Sequence, residues 1–334
     1  MDVRDRRRRR HRMACMGIDR REFLGLGLSA APVLFGGLPV RTAAGPLALV
    51  TADTEAHVAV VSLTRRRVVQ RVATVDGPRS IQNAAGGRAV VGHANAGAVS
   101  LLEGRPVRVR RVLRGFVTPR YSAIRPGGRI AYVSDSGTGE LVVVDLIAGR
   151  VRRRVAVGDG ARHLTLDPDG HTLWVALGSS AAQIVVVDVR RPEHPRVLRR
   201  IRPPFLAHDV GFSPSGRRVW VTAGREQRIA VYSAAGGMPL RELAADAAPQ
   251  HVSFGRGVAY VASGDSGTMR VHRLSDGGVR RRTRVPAGSY NVQRTGSRVL
   301  TPSLGNGALT VLDLQGRVLA EQHVAAAAHD ACVV

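Results

Sequence analysis

Apolar and polar positions alternate along this chain with a period of two, over short runs that recur at nearly constant spacing. Seven such runs end in a polar residue: HVAVVS (57–62), AVSLLE (98–103), ELVVVD (140–145), QIVVVD (183–188), RIAVYS (228–233), TMRVHR (268–273) and ALTVLD (308–313). Alternation of this length reads as β-strand rather than helix. The last residues of the runs lie 41, 42, 43, 45, 40 and 40 positions apart, so one structural unit repeats. A second strand precedes each run, as in LALVTAD (47–53), IAYVSDSG (130–137), TLWVALGS (172–179) and RVWVTAGR (218–225). A basic strand follows, as in RVVQRV (67–72) and RVRRRV (150–155). A fourth opens on His or Tyr and leaves through a Gly turn, as in RYSAIRPGG (120–128), RHLTLDPDG (162–170), AHDVGFSPSG (207–216), QHVSFGRG (250–257) and YNVQRTGS (290–297). Four strands in one such period define a β-propeller blade.

The two ends sharpen this reading. The repeat begins with LALVTAD, a second-type strand, and the chain finishes on AHDACVV (328–334), which repeats the fourth-strand pattern of AHDVGFS and QHVSF. The C-terminal strand is therefore predicted to complete the N-terminal blade and close the ring, which removes the sheet edges an open array would expose. The predicted fold is all-β: a seven-bladed β-propeller of four antiparallel strands per blade over residues 45–334, with no room for a second domain. Low aromatic content (4%) and 38 glycines agree with many short strands and turns.

Residues 1–44 read differently. Asp19-Arg20-Arg21-Glu22-Phe23-Leu24 leads into the apolar stretch Gly25 to Pro39 and then into small residues around Ala44. This resembles a twin-arginine export signal, and the apolar stretch is short of the ~20 residues of a membrane-spanning helix. The expectation is a folded, exported, extracytoplasmic protein without a membrane span in its mature part. The run Arg6 to Arg10 would leave with the leader. Cys15 lies in that leader, so Cys332 has no disulfide partner in the mature chain.

All 50 basic residues are Arg, against 25 acids, for a formal net charge of +25. Residues 45–334 keep 40 Arg against 21 acids, so the body itself is basic. Such a field attracts anions. Few aromatics for base stacking and the export address argue against nucleic acid. The Arg runs 65–67, 152–154, 199–200 and 280–282 fall on outer strands, where charge blunts a sheet edge.

AYVSDSG, LWVALGS, VWVTAGR and AYVASGD, together with HLTLDPDG and HDVGFSPSG, resemble the strand and turn motifs of the YVTN-repeat (YncE-like) seven-bladed propellers. The resemblance covers the mature chain and implies the fold. It implies no single activity, because related propellers include lactonases, haem-d1-binding proteins, dehydrogenase subunits and plain binding proteins.

Chemistry is expected where the innermost strands open, at one mouth of the channel. Those positions are Ser80, Tyr121, His163, His208, His251, Tyr290 and His329, with Arg79, Arg120 and Arg162 one residue earlier on three adjacent blades. Imidazoles suit Zn, Cu, Fe or Ni, which makes His163, His208, His251 and His329 candidate metal ligands; the same ring could serve a haem-like ligand. The guanidinium side suits a carboxylate or phosphate. Loop residues Asp53, Asp135, Glu226, Asp265 and Asn306 are placed on the same face. No GxSxG, HExxH, P-loop or dinucleotide fingerprint occurs. A catalytic site pairing His208 or His329 with the adjacent Asp209 or Asp330 is disfavoured, since neighbours on a strand point to opposite faces. The expectation is a monomeric binding module for a protein or small anionic ligand, with a lactonase-like hydrolase or a metal- or haem-dependent redox protein as the alternative.

Overall fold

The computed structural model describes residues 45–178 and 181–334, so the expected export signal lies outside the described residues. Among them are twenty-eight strands, β1 to β28 in chain order, and no helix. They form seven four-stranded antiparallel sheets. Six sheets use four consecutive strands, and their innermost members are β4 (Pro78–Ala84), β8 (Pro119–Ile124), β12 (Ala161–Leu166), β16 (Val210–Phe212), β20 (Pro249–Gly255) and β24 (Gln293–Thr295). The remaining sheet, the first blade in chain order, runs β28 (Ala328–Val333), β1 (Leu47–Ala52), β2 (His57–Ser62), β3 (Arg67–Ala73), so the blades opening on β4 to β24 are the second to the seventh. The C-terminal strand thus pairs antiparallel with β1, as Leu49 with Cys332 and Val50 with Ala331. Each innermost strand also touches the next, β4 to β8 and onward through β24 to β28 and back to β4, which closes the ring.

Packing follows from the alternation. The second and third strands of each blade are buried on both faces between neighbouring blades, so they read as Val-rich runs such as ELVVVD, whereas outer strands such as β23 (Val279–Arg284) are exposed and carry the arginines. The two tryptophans fill consecutive blade interfaces: Trp174 meets Phe212 edge-on with ring centroids 6.2 Å apart, and Trp220 meets Phe254 at 6.0 Å.

Two innermost strands are shorter than the pattern predicts. Strand character was expected from Ala207 and from Tyr290, but β16 starts at Val210 and β24 at Gln293. Ahead of β16, Ala207 bridges to Ala181, the His208 N–H donates to the Thr222 carbonyl at 2.7 Å, and the Asp209 N–H turns to the Thr222 hydroxyl at 3.1 Å. The backbone groups are satisfied, but not by a regular ladder.

Candidate functional site

The innermost strands do not simply alternate at their openings. Register shifts occur between Pro119 and Ser122 of β8, Ala161 and Leu164 of β12, and Pro249 and His251 of β20. A bulge inserts a residue and re-aims side chains. Here it frees Tyr121, His163 and His251 from the up-down order of the strand. Hydroxyls of neighbouring blades then hold the backbone just before these residues. Ser80 donates to the Arg120 carbonyl, Ser134 to the Arg162 carbonyl, and Thr222 to the Gln250 carbonyl at 2.7 Å. Ser80, expected as a ring member, is thus a blade-to-blade latch. It reaches because the facing residue is Gly92, where a Cβ would lie 2.7 Å from the Ser80 hydroxyl.

These constraints gather Tyr121, His163, His208 and His251 from four consecutive blades. His163 is the hub: its ring centroid is 4.2 Å from Tyr121, 4.3 Å from His208 and 4.9 Å from His251. His163, His208 and His251 are buried, and each offers a ring nitrogen such that the three lie within 4.8 Å of one another. Gly224, at φ +73°, makes room for the cluster, because a Cβ there would sit 2.7 Å from the Cβ of His208.

Each imidazole has a different environment. His251 Nδ1 lies 3.3 Å from the Asp209 carboxylate, and its Nε2 lies 3.3 Å from the Tyr121 hydroxyl. With the proton on Nδ1, toward the carboxylate, Nε2 presents its lone pair to the cluster. Asp209 is itself fixed by the N–H groups of Val210 at 2.8 Å and Val252 at 3.2 Å. Both ring nitrogens of His163 are buried without a hydrogen-bond partner. Burial first, and then the charges of His208, His251, Arg162 and His329, hold His163 well below the ordinary imidazole range, so it is neutral. Burial likewise pushes the Tyr121 phenol up.

The remaining ring residues separate from this group. His329 is buried, but it faces the Arg79 carbonyl at 2.7 Å through Nδ1 and is not one of the three imidazoles that converge. Tyr290 turns onto the rim, where its hydroxyl donates to Asp265 at 2.6 Å and its ring covers Gly264. Of the arginines, Arg79 pairs with Asp53 at 2.9 Å. Arg120 donates to the Ser136 hydroxyl at 3.2 Å, and the Arg162 Nε is buried without a hydrogen-bond partner among the described residues. Burial, with Arg162 and Arg79 adding repulsion, brings Arg120 down to about 10. Asp135 accepts the Val117 and Thr118 N–H groups and so shapes a turn.

The alternation rule set Asp209 and Asp330 on the opposite face from His208 and His329, and neither of those histidines lines the central cavity that the two carboxylates face. Both aspartates line this cavity of ≈ 200 Å³ together with Tyr121, His163 and His251. Each also clasps the next innermost strand, Asp209 through Val252 N–H and Asp330 through Ile81 N–H at 2.9 Å. Burial raises the Asp330 carboxyl to about 6. The signal that could have found them is the repeated His-Asp dipeptide at 208–209 and 329–330.

No family model matches the chain, and no curated protein matches it. Solved structures do. A protein of unknown function from Desulfotomaculum acetoxidans superposes with a TM-score of 0.75 at 12% identity, over 86% of this chain and 98% of its own. A 6-phosphogluconolactonase candidate from Bacteroides fragilis gives 0.72 at 12% identity, over 89% and 99%. Apo AztD from Citrobacter koseri gives 0.64 at 13% identity, over 86% and 97%. At these identities the likeness is one of fold.

Proposed function

We propose that this propeller is a binding module whose channel mouth holds one divalent transition-metal ion on His163, His208 and His251. The observation that carries this reading is the neutral, buried His163, with neither ring nitrogen hydrogen-bonded, within reach of two further imidazoles. Leaving such polar atoms unpaired costs ~1–3 kcal/mol, which a bound ion would relieve. Imidazole nitrogens suit Zn, Cu or Ni. The Asp209 carboxylate behind His251 is the kind of outer partner that orients a ligand histidine and raises its basicity. The guanidiniums of Arg120 and Arg162, which form no ion pair with a carboxylate of the described residues, favour a small anion as the ion's further ligand. The central cavity of ≈ 200 Å³ that His163 and His251 line is smaller than the ~300–1,000 Å³ of pockets for larger organic ligands, which disfavours a haem-like occupant.

In this reading the protein is exported through its twin-arginine-type leader and acts as a monomeric YVTN-like propeller, outside the cytoplasm. The hydrolase alternative rests on the Asp209–His251–Tyr121 chain, in which an oriented imidazole would act as general base toward a lactone. One set of measurements separates the two. Zinc titration of the chelator-stripped full chain against a chromophoric competitor should give one ion per chain, with His163→Ala weakening it at least 100-fold and His93→Ala leaving it unchanged. Unchanged zinc affinity in His163→Ala sinks the metal reading. Lactone hydrolysis by the stripped protein, abolished in His251→Ala, would put the enzyme reading in its place.

A further inference from the structure

A second cavity, of ≈ 360 Å³, lies away from the channel between the sixth and seventh blades. Its lining includes five arginines, Arg256, Arg280, Arg281, Arg294 and Arg317, around an apolar floor that includes Val258, Tyr260 and Val271. All five arginines are exposed, and none forms an ion pair with a carboxylate of the described residues. This distinguishes them from their neighbours. Arg282, on the same strand β23, reaches Asp246 at 2.8 Å, and Arg270 reaches the same carboxylate at 2.5 Å. Arg273 pairs with Asp276 at 3.0 Å. Asp246 and Asp276 are thus already committed to arginines outside the cleft, and Asp313, in the adjoining turn, accepts the Gln315 and Arg317 N–H groups.

The cleft wall is also built to hold its shape. The turn between β26 (Ala308–Leu312) and β27 (Val318–His323) is pinned onto the sixth blade by the Tyr260 hydroxyl, which donates to the Leu314 carbonyl at 2.8 Å, and by the Thr283 hydroxyl, which donates to the Gly316 carbonyl at 2.5 Å. Gly316 permits this approach, because a Cβ there would fall 2.7 Å from Val271 and 3.3 Å from Arg281. The guanidiniums therefore stand on rigid strands and a fixed turn, with no carboxylate of the described residues in an ion pair with them. One carboxylate would engage one of them. A ligand with several clustered phosphate groups would engage most, because each phosphate matches the guanidinium fork.

We infer that the cleft between the sixth and seventh blades is a binding site for a soluble oligophosphate, independent of the metal site proposed for the channel. Calorimetric titration of the metal-stripped full chain with inorganic tripolyphosphate at low salt tests it. Saturable binding of one tripolyphosphate per chain is expected, weakened at least 10-fold in Arg281→Ala/Arg294→Ala/Arg317→Ala. The triple variant Arg65→Ala/Arg67→Ala/Arg71→Ala removes the same charge from the outer edge of another blade and should bind within twofold of the parent. His163→Ala should bind as the parent does, so failure of the metal reading leaves this result readable. Equal weakening by the two triple variants would reduce the effect to net charge and overturn the site. So would the absence of saturable tripolyphosphate binding, including the case in which the chain binds only phosphatidylglycerol vesicles.

Discussion

Thr222 joins two blades and the candidate metal site through one hydroxyl. It accepts the Asp209 N–H at 3.1 Å and donates to the Gln250 carbonyl at 2.7 Å, and it is fully buried. Thr222→Val keeps the shape and deletes the hydroxyl, so a buried N–H and a buried C=O lose their partner together. An unsatisfied buried group costs ~1–3 kcal/mol, and the added methyl returns about 0.8 kcal/mol of burial. The net expectation is a loss of about 1–5 kcal/mol. Thr222→Ser keeps both hydrogen bonds, loses only a methyl, and should fall within about 1.5 kcal/mol of the parent. Urea unfolding of the metal-free proteins, followed by tryptophan fluorescence, reads both values from the midpoint at constant slope. A second readout follows from connectivity. Asp209 lies 3.3 Å from His251 Nδ1, so releasing its N–H should loosen the carboxylate and weaken zinc binding by about 10–100-fold, the usual effect of losing an outer partner. If Thr222→Val unfolds within 0.5 kcal/mol of the parent, the latch carries no weight and the account of how the blades fix the site is wrong.

Two further expectations concern the scaffold. Burial pulls the Asp145 carboxyl up, but N–H donors from Ala148 and Ile147 and the Arg152 guanidinium outweigh it and hold it at about 2, below its ordinary 3.8. The folded value is the lower one, so its stabilisation is complete above about pH 4 and is lost as pH falls toward 2. The stability gap between parent and Asp145→Asn should therefore be constant above pH 4 and close below it; a gap that persists at pH 2 contradicts the assignment. Gly307 has φ +67°, and a Cβ there would sit 1.6 Å from the Ala325 carbonyl oxygen, whereas Gly87, at φ +69°, has nothing within 4 Å of that position. Gly87→Ala should cost only the backbone term of about 1–2 kcal/mol, and Gly307→Ala clearly more, in thermal melts of the two variants; equal melting temperatures would refute the steric argument.

The sequence by itself determined the architecture. A two-residue alternation repeated at 40–45 residues allows four strands per unit, and the AHDACVV segment matches the missing innermost strand so closely that ring closure was legible before any coordinates. It also placed Tyr121, His163, His251 and His329 near the starts of innermost strands, although β16 and β24 begin beyond His208 and Tyr290. What it could not determine is which of those residues meet. Seven ring positions look equivalent along the chain, yet His163, His208 and His251 converge while His329 turns to the Arg79 carbonyl and Tyr290 to Asp265. The reason is local and three-dimensional. Bulges at the strand openings break the alternation, and hydroxyls from the adjacent blade capture the backbone just before Tyr121, His163 and His251. Both effects depend on a partner some 13 to 40 residues away in sequence, such as Ser80 for Arg120 or Ser134 for Arg162, and only the closed ring brings those partners into contact. The Arg-lined cleft has the same origin. Its arginines are scattered from Arg256 to Arg317 among 50 in the chain, and only the packing of two blades shows which of them lack a carboxylate.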